Sequence, residues 1–147
     1  FALLIDPTVL KLGGRPVLLM HGDTLCTDDV EYQAFRDLVR NPEWQSDFLE
    51  KPLEERRAFA AHARNESKAH SSRKSDVIMD VNQEAVSEVM KSNHVTWLIH
   101  GHTHRPHVHK WRENDEQLLR IVLGDWYEQG SVLEIEANQF DLKFFEL

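Results

Sequence analysis

Only one of the 147 residues is a cysteine. Cys26 therefore cannot close an intramolecular disulfide, and so sparse a usage fits a reducing compartment, the cytoplasm by default. Long apolar runs are missing as well, since none approaches the ~20 residues that cross a bilayer. The opening FALLIDPTVLKL has no basic n-region and no small-residue cleavage site, which excludes a signal peptide, and it lacks an initiator Met, which points to a fragment. Positive charge is in the minority. Against 25 Asp and Glu stand 17 Lys and Arg, a formal net charge of −8, and this argues against a nucleic-acid partner because phosphate contacts need a positive surface. There is no GxxxxGK[ST] loop, no CxxC pair, no internal repeat and no low-complexity tract.

What is present suits one domain with a real core, at 41% hydrophobic and 29% charged residues. Thr8–Leu12 alternates like a strand, and Gly13-Gly14 reads as a hairpin turn into the apolar run Val17–Met20. That run ends at His21-Gly22-Asp23. Helical spacing follows over 28–40, with Tyr32, Phe35 and Val39 on one stripe and Thr27 or Asp28 as the cap. After Pro42 and Pro52 come a short helix and a longer one over 53–71, whose apolar stripe is thin; residues 43–72 are expected to form a helical insertion or lid. A better amphipathic helix spans 81–92, and Val95–Ile99 is a buried strand running into His100-Gly101-His102-Thr103-His104. Short strands at 108–111, 118–123, 131–136 and 142–145 complete an α/β chain with a β-rich tail.

Five of the nine histidines, His100, His102, His104, His107 and His109, fall within ten residues. Clustered imidazoles are costly in a core, which leaves a solvated loop or a metal site. In an extended chain His102 and His104 share a side, and Gly101 allows close backbone approach. His21 stands in the same relation to its own strand, and ligand sites of open α/β sheets gather at strand carboxyl ends. Asp23 is either an orienting partner of His21 or a cap of its turn. A structural zinc site is disfavoured by the lone cysteine, so nitrogen and oxygen ligation of a catalytic metal fits better, with hydrolysis by activated water. Elsewhere Arg64, Ser67, Ser71 and Lys74 recur at helical spacing, either as a phosphate-binding stripe or as a solvated polar face.

HGD at 21–23 together with GHTH at 101–104 resembles the last two motifs of the calcineurin-like metallophosphoesterases. The wider strings MHGDTLCTDDVEYQAFR (20–36), SxxxxxxKSxxIMDVNxxAV (67–86), WLIHGHTHRP (97–106) and LGDWYEQGS (123–131) resemble, within them, the UDP-2,3-diacylglucosamine diphosphatases of lipid A synthesis. The resemblance implies the C-terminal part of a four-layer αββα fold with a helical lid. It implies cleavage of the UDP-2,3-diacylglucosamine pyrophosphate to 2,3-diacylglucosamine 1-phosphate (lipid X) and UMP, using two Mn²⁺ ions on the cytoplasmic face of the bacterial inner membrane. His21 and His102 are then ligands of one metal and His104 of the other, with His102 also facing the phosphate as the catalytic histidine. Asp29, Ser67, Ser71, Lys74 and His102 match substrate-contacting positions, and Tyr32, Phe35 and Arg64 match lid or pocket positions. Ser71 stands where the family has asparagine.

The family's Asp-x-His, Gly-Asp and Gly-Asn-x-Asp motifs do not occur upstream of His21, and Gly124-Asp125 lies too late to replace them. The chain is therefore expected to be a C-terminal fragment, inactive alone. The rival readings are another phosphoesterase of this superfamily, acting on nucleotides or phosphoproteins, and a non-catalytic binding module of the same fold.

Overall fold

A computed structural model describes residues 3–71, 80–127, 129–137 and 139–147, with the backbone alone at 68–71. They form two compact units, one of Phe1–Leu25 with Val81–Leu147 and one of Cys26–Asp80. The expected insertion over 43–72 falls inside the second.

In the first unit β1 (Thr8–Leu12) and β2 (Arg15–Met20) make a hairpin with Leu12 opposite Arg15. Gly13 and Gly14 turn it with φ of 56° and 84°, the pair of positive angles that a two-residue hairpin turn demands. Helix α4 (Gln83–Ser92) leads to β3 (Trp97–His100), followed by β4 (His107–Glu113), β5 (Glu116–Val122), β6 (Gln129–Glu136) and β7 (Gln139–Glu146). The sheet runs β1-β2-β3-β5-β4, with β2, β3 and β5 parallel and the two edge strands antiparallel, while β6 and β7 form a separate pair. Between β4 and β5, Asn114 and Asp115 adopt φ of 48° and 65°, residue types that tolerate the left-handed region.

Period-two alternation splits the apolar residues of the sheet between its faces. Leu18, Met20, Leu98 and Leu118 pack with Val86 and Met90 of α4 and with Leu25 and Val95. Val17, Trp97, Ile99, Leu119 and Ile121 face the opposite way, against Leu133 and Ile135 of β6 and Phe140 and Leu142 of β7. Trp97 anchors this second layer, with its ring at 5.3 Å edge-on to Phe140 and the Arg15 guanidinium 4.3 Å above it. Helix, sheet and sheet are three successive layers of the expected αββα stack. Each fully buried aliphatic side chain contributes about 1.5–3 kcal/mol.

The second unit holds α1 (Val30–Arg40), α2 (Pro42–Glu50) and α3 (Leu53–Ser71). Asn41 caps α2 through Glu43 N and Trp44 N, with Pro42 in the first turn. Neither α1 nor α2 buries a residue fully. Helices α2 and α3 are joined instead by an aromatic trio, with Trp44 stacked on Phe48 at 4.8 Å and Phe59 of α3 at 5.5 Å and 5.2 Å from the two.

Element types match the sequence reading, and several boundaries move. Asp29, not Thr27 or Asp28, caps α1, accepting from Tyr32 N at 3.0 Å. Helix α4 begins two residues later than its periodicity suggests because the Asn82 side chain accepts from Glu84 N and Ala85 N and so fixes the start.

Leu98 is fully buried and Val9 is 45% exposed. Leu98→Ala is expected to lower unfolding stability by about 2–5 kcal/mol and Val9→Ala by under about 1 kcal/mol. Urea midpoints at constant slope check this.

Candidate functional site

Three loops leave the carboxyl ends of the parallel strands side by side. Register places Met20 opposite His100 and His100 opposite Val122, so His21-Gly22-Asp23, Gly101–His104 and Leu123–Asp125 begin at one level of the sheet. Backbone bonds stitch them: Gly101 N donates to His21 O at 3.1 Å, and Leu123 N to His100 O at 2.8 Å.

His21 is exposed at this edge, and its ring centroid lies 4.9 Å from that of His102. Its Nδ1 is 3.2 Å from Oδ1 of Asp23, a carboxylate almost wholly buried at the start of a short 3-10 turn. The same oxygen accepts from Thr24 N at 3.1 Å, so Asp23 both orients His21 and caps its own turn. His104 sits apart from that pair, with Nδ1 3.5 Å from Asp125 Oδ2 and its ring 5.7 Å from Tyr127. Asp125 belongs to the Gly-Asp that sequence position alone dismissed. Its signal was the strand end: LGD follows β5 as HGD follows β2.

The loop is not the extended chain expected, and the structure pairs His102 with His21 and not with His104. His102 and His104 have φ of 67° and 53°, and Thr103 N donates to Gly101 O at 2.8 Å across His102. This is a γ-turn of the rare positive-φ kind, strained by the order of 1–3 kcal/mol and held by the surrounding structure. Gly101 makes no unusually close approach: a Cβ there would meet only His21 O, at 3.9 Å. The demanding glycine is Gly22, with φ of 104° and an added Cβ 2.7 Å from His100 Nδ1.

The donor chemistry fits a divalent ion in kind. His21 and His104 each present one ring nitrogen to a carboxylate, the arrangement that orients the ring and leaves its other nitrogen to the ion in metal-binding histidines. Thr103 Oγ1, between the two loop histidines, is shielded and has no hydrogen-bond partner among the described residues. In number the donors fall short, because among the described residues no three His, Cys, Asp or Glu side chains are grouped to hold a metal.

His107 and His109 lie on edge strand β4, ring centroids 4.6 Å apart. The remaining sequence-selected positions belong to the second unit. Asp29 is the α1 cap; Tyr32 is half-buried and Phe35 exposed on that helix; Arg64 and Ser67 are exposed on α3. Ser71 ends α3 with its side chain outside the described residues, and Lys74 lies outside them altogether. The spacing of Arg64, Ser67 and Ser71 is thus realised on one helix. No helix among the described residues is long and apolar enough to cross a membrane.

The closest chemical context comes from known sequences. The chain is 52% identical over 143 residues to a UDP-2,3-diacylglucosamine hydrolase of Shigella dysenteriae, an alignment covering 97% of this chain and 60% of that protein. It is 51% identical, with the same coverage, to proteins of that name from Escherichia fergusonii and Escherichia coli. The chain thus spans about 60% of the length of the curated relatives it matches. The family model described as calcineurin-like phosphoesterase matches residues 4–106, which include both histidine motifs. On that match, the chain belongs to the calcineurin-like phosphoesterase family.

Proposed function

We propose that these residues are the C-terminal part of an enzyme that hydrolyses the pyrophosphate of UDP-2,3-diacylglucosamine, giving 2,3-diacylglucosamine 1-phosphate and UMP. The observation that carries the reading is the pairing of His21 with His102 at the ends of adjacent parallel strands, in a chain whose relatives bear the name of that hydrolase.

His21, held by buried Asp23, and His102, held in its γ-turn, supply nitrogen ligands to one Mn²⁺, and His104, held by Asp125, supplies one to a second. Divalent ions, when bound, attract the phosphate oxygens and acidify water. The remaining work falls to side chains. His102 faces the phosphate under attack, and its fixed backbone limits the reorganisation required there. Arg64 and Lys74 hold charge on the departing phosphate while Asp29, Ser67 and Ser71 orient sugar and phosphate. Tyr32 and Phe35 join them as lid or pocket positions on the family resemblance. In the helical unit Phe48 and Phe59 are occupied by each other and by Trp44, so of the apolar stripe Phe48, Leu49, Leu53 and Phe59 the side chains most open to an acyl chain are Leu49 and Leu53, at 63% and 52% exposure. The same reading puts the enzyme at the cytoplasmic face of the bacterial inner membrane, where its lipid substrate would be met, and the exposed Leu49 and Leu53 support it.

In the full-length protein, His102→Ala is expected to reduce Mn²⁺-dependent turnover about 100-fold or more, and Asp23→Asn to weaken Mn²⁺ about 10–100-fold with an unchanged circular dichroism spectrum. Retained turnover in His102→Ala overturns the ligand assignment. The diacylated UDP-sugar should be cleaved far better than bis(p-nitrophenyl) phosphate, and comparable rates would favour a phosphoesterase of another specificity. Leu49→Asp should raise KM for the lipid substrate several-fold; an unaltered KM removes the helical unit from acyl binding.

A further inference from the structure

One buried polar pair has no part in the reading above. His100, at the end of β3, is fully buried, and Arg120 on β5 is 4% exposed. The strands are parallel neighbours with Leu98 opposite Arg120, and Arg120 Nη1 reaches 3.3 Å from His100 Nε2. A guanidinium has five donors and no acceptor. Nε2 of His100 therefore accepts, the ring proton sits on Nδ1, and Nδ1 donates to Gly101 O at 2.9 Å. That carbonyl is also the acceptor of Thr103 N that closes the turn around His102. The ring's other neighbour is Gly22, where an added Cβ would lie 2.7 Å from Nδ1 and 3.2 Å from Cβ and Cγ of His100. A single imidazole thus touches the loop carrying His21 and fastens the turn carrying His102. Burying a histidine and an arginine among the sheet's apolar side chains is costly unless they are hydrogen-bonded; the ring's two bonds run to Arg120 and to the Gly101 carbonyl of one loop, and its contact with Gly22 of the other is close packing.

We propose that His100, locked by Arg120 with its proton on Nδ1, is a positioning residue that sets the separation and aim of His21 and His102. The inference rests on the reading of those two as metal ligands, and its test separates the two ideas.

Long-range proton–nitrogen correlation spectra of the full-length protein read the tautomer without any substitution; a proton on Nε2 overturns the proposal. The nuclear Overhauser contact between the rings of His21 and His102, centroids 4.9 Å apart, reads their aim. His100→Asn places a donor where Nδ1 was, whereas His100→Gln reaches toward Arg120 and offers nothing to Gly101. The contact should survive in His100→Asn and vanish in His100→Gln, with amide resonances of the sheet core unchanged in both. The Mn²⁺ concentration that broadens the His21 and His102 ring signals should rise about tenfold in His100→Gln and under about threefold in His100→Asn. Equal behaviour of the two variants, or a contact that persists in both, overturns positioning. Should Mn²⁺ broaden neither ring in the unsubstituted full-length protein while the ring contact follows the expected pattern, the metal reading fails and the positioning role stands.

Discussion

The register of three parallel strands governs everything else in the first unit. With Met20 opposite His100 and His100 opposite Val122, the chain leaves β2, β3 and β5 at one height, and the loops that follow have no choice but to meet. A slip of one residue would turn His100 out of the α4-side layer and exchange the two apolar faces of β3, so the same burial that stabilises the sheet specifies the site. Leu98 and Ile99, pointing to opposite layers, make that slip expensive.

Much of this was legible in the residues. Short apolar runs that stop at His21-Gly22-Asp23 and at His100–His104 gave strand ends with histidines on them, and a thin apolar stripe marked residues 53–71 as helix without a core to cover. What could not be read were features that only tertiary contact decides. The left-handed backbone of His102 and His104 comes from loops stitched to neighbouring strands, and no local pattern announces it. Gly22 outranks Gly101 because of a ring seventy-eight positions further along the chain. Asp125 meets His104 only because β5 ends beside β3. One signal was available and easily passed over: an arginine inside the apolar run of β5 needs a buried partner, and Arg120 has one in His100.

The helical unit obeys different physics. Helices α1 and α2 are fixed at their starts by Asp29 and Asn41, three aromatic rings join α2 to α3, and no residue of α1 or α2 is fully buried. Local capping and a small cluster suffice for helices, while large apolar side chains such as Val30, Leu49 and Leu53 stay at the surface. Such a unit stores little stability of its own.

Gly22 has two independent reasons to be glycine, its backbone angle and the imidazole that fills the space of a side chain. Positions 22 and 100 are consequently a single heritable unit. A smaller residue at 100 would open room for a side chain at 22 yet leave the angle unrelieved, so descendants of this sequence can drift freely around the pair but have no single-step route through it.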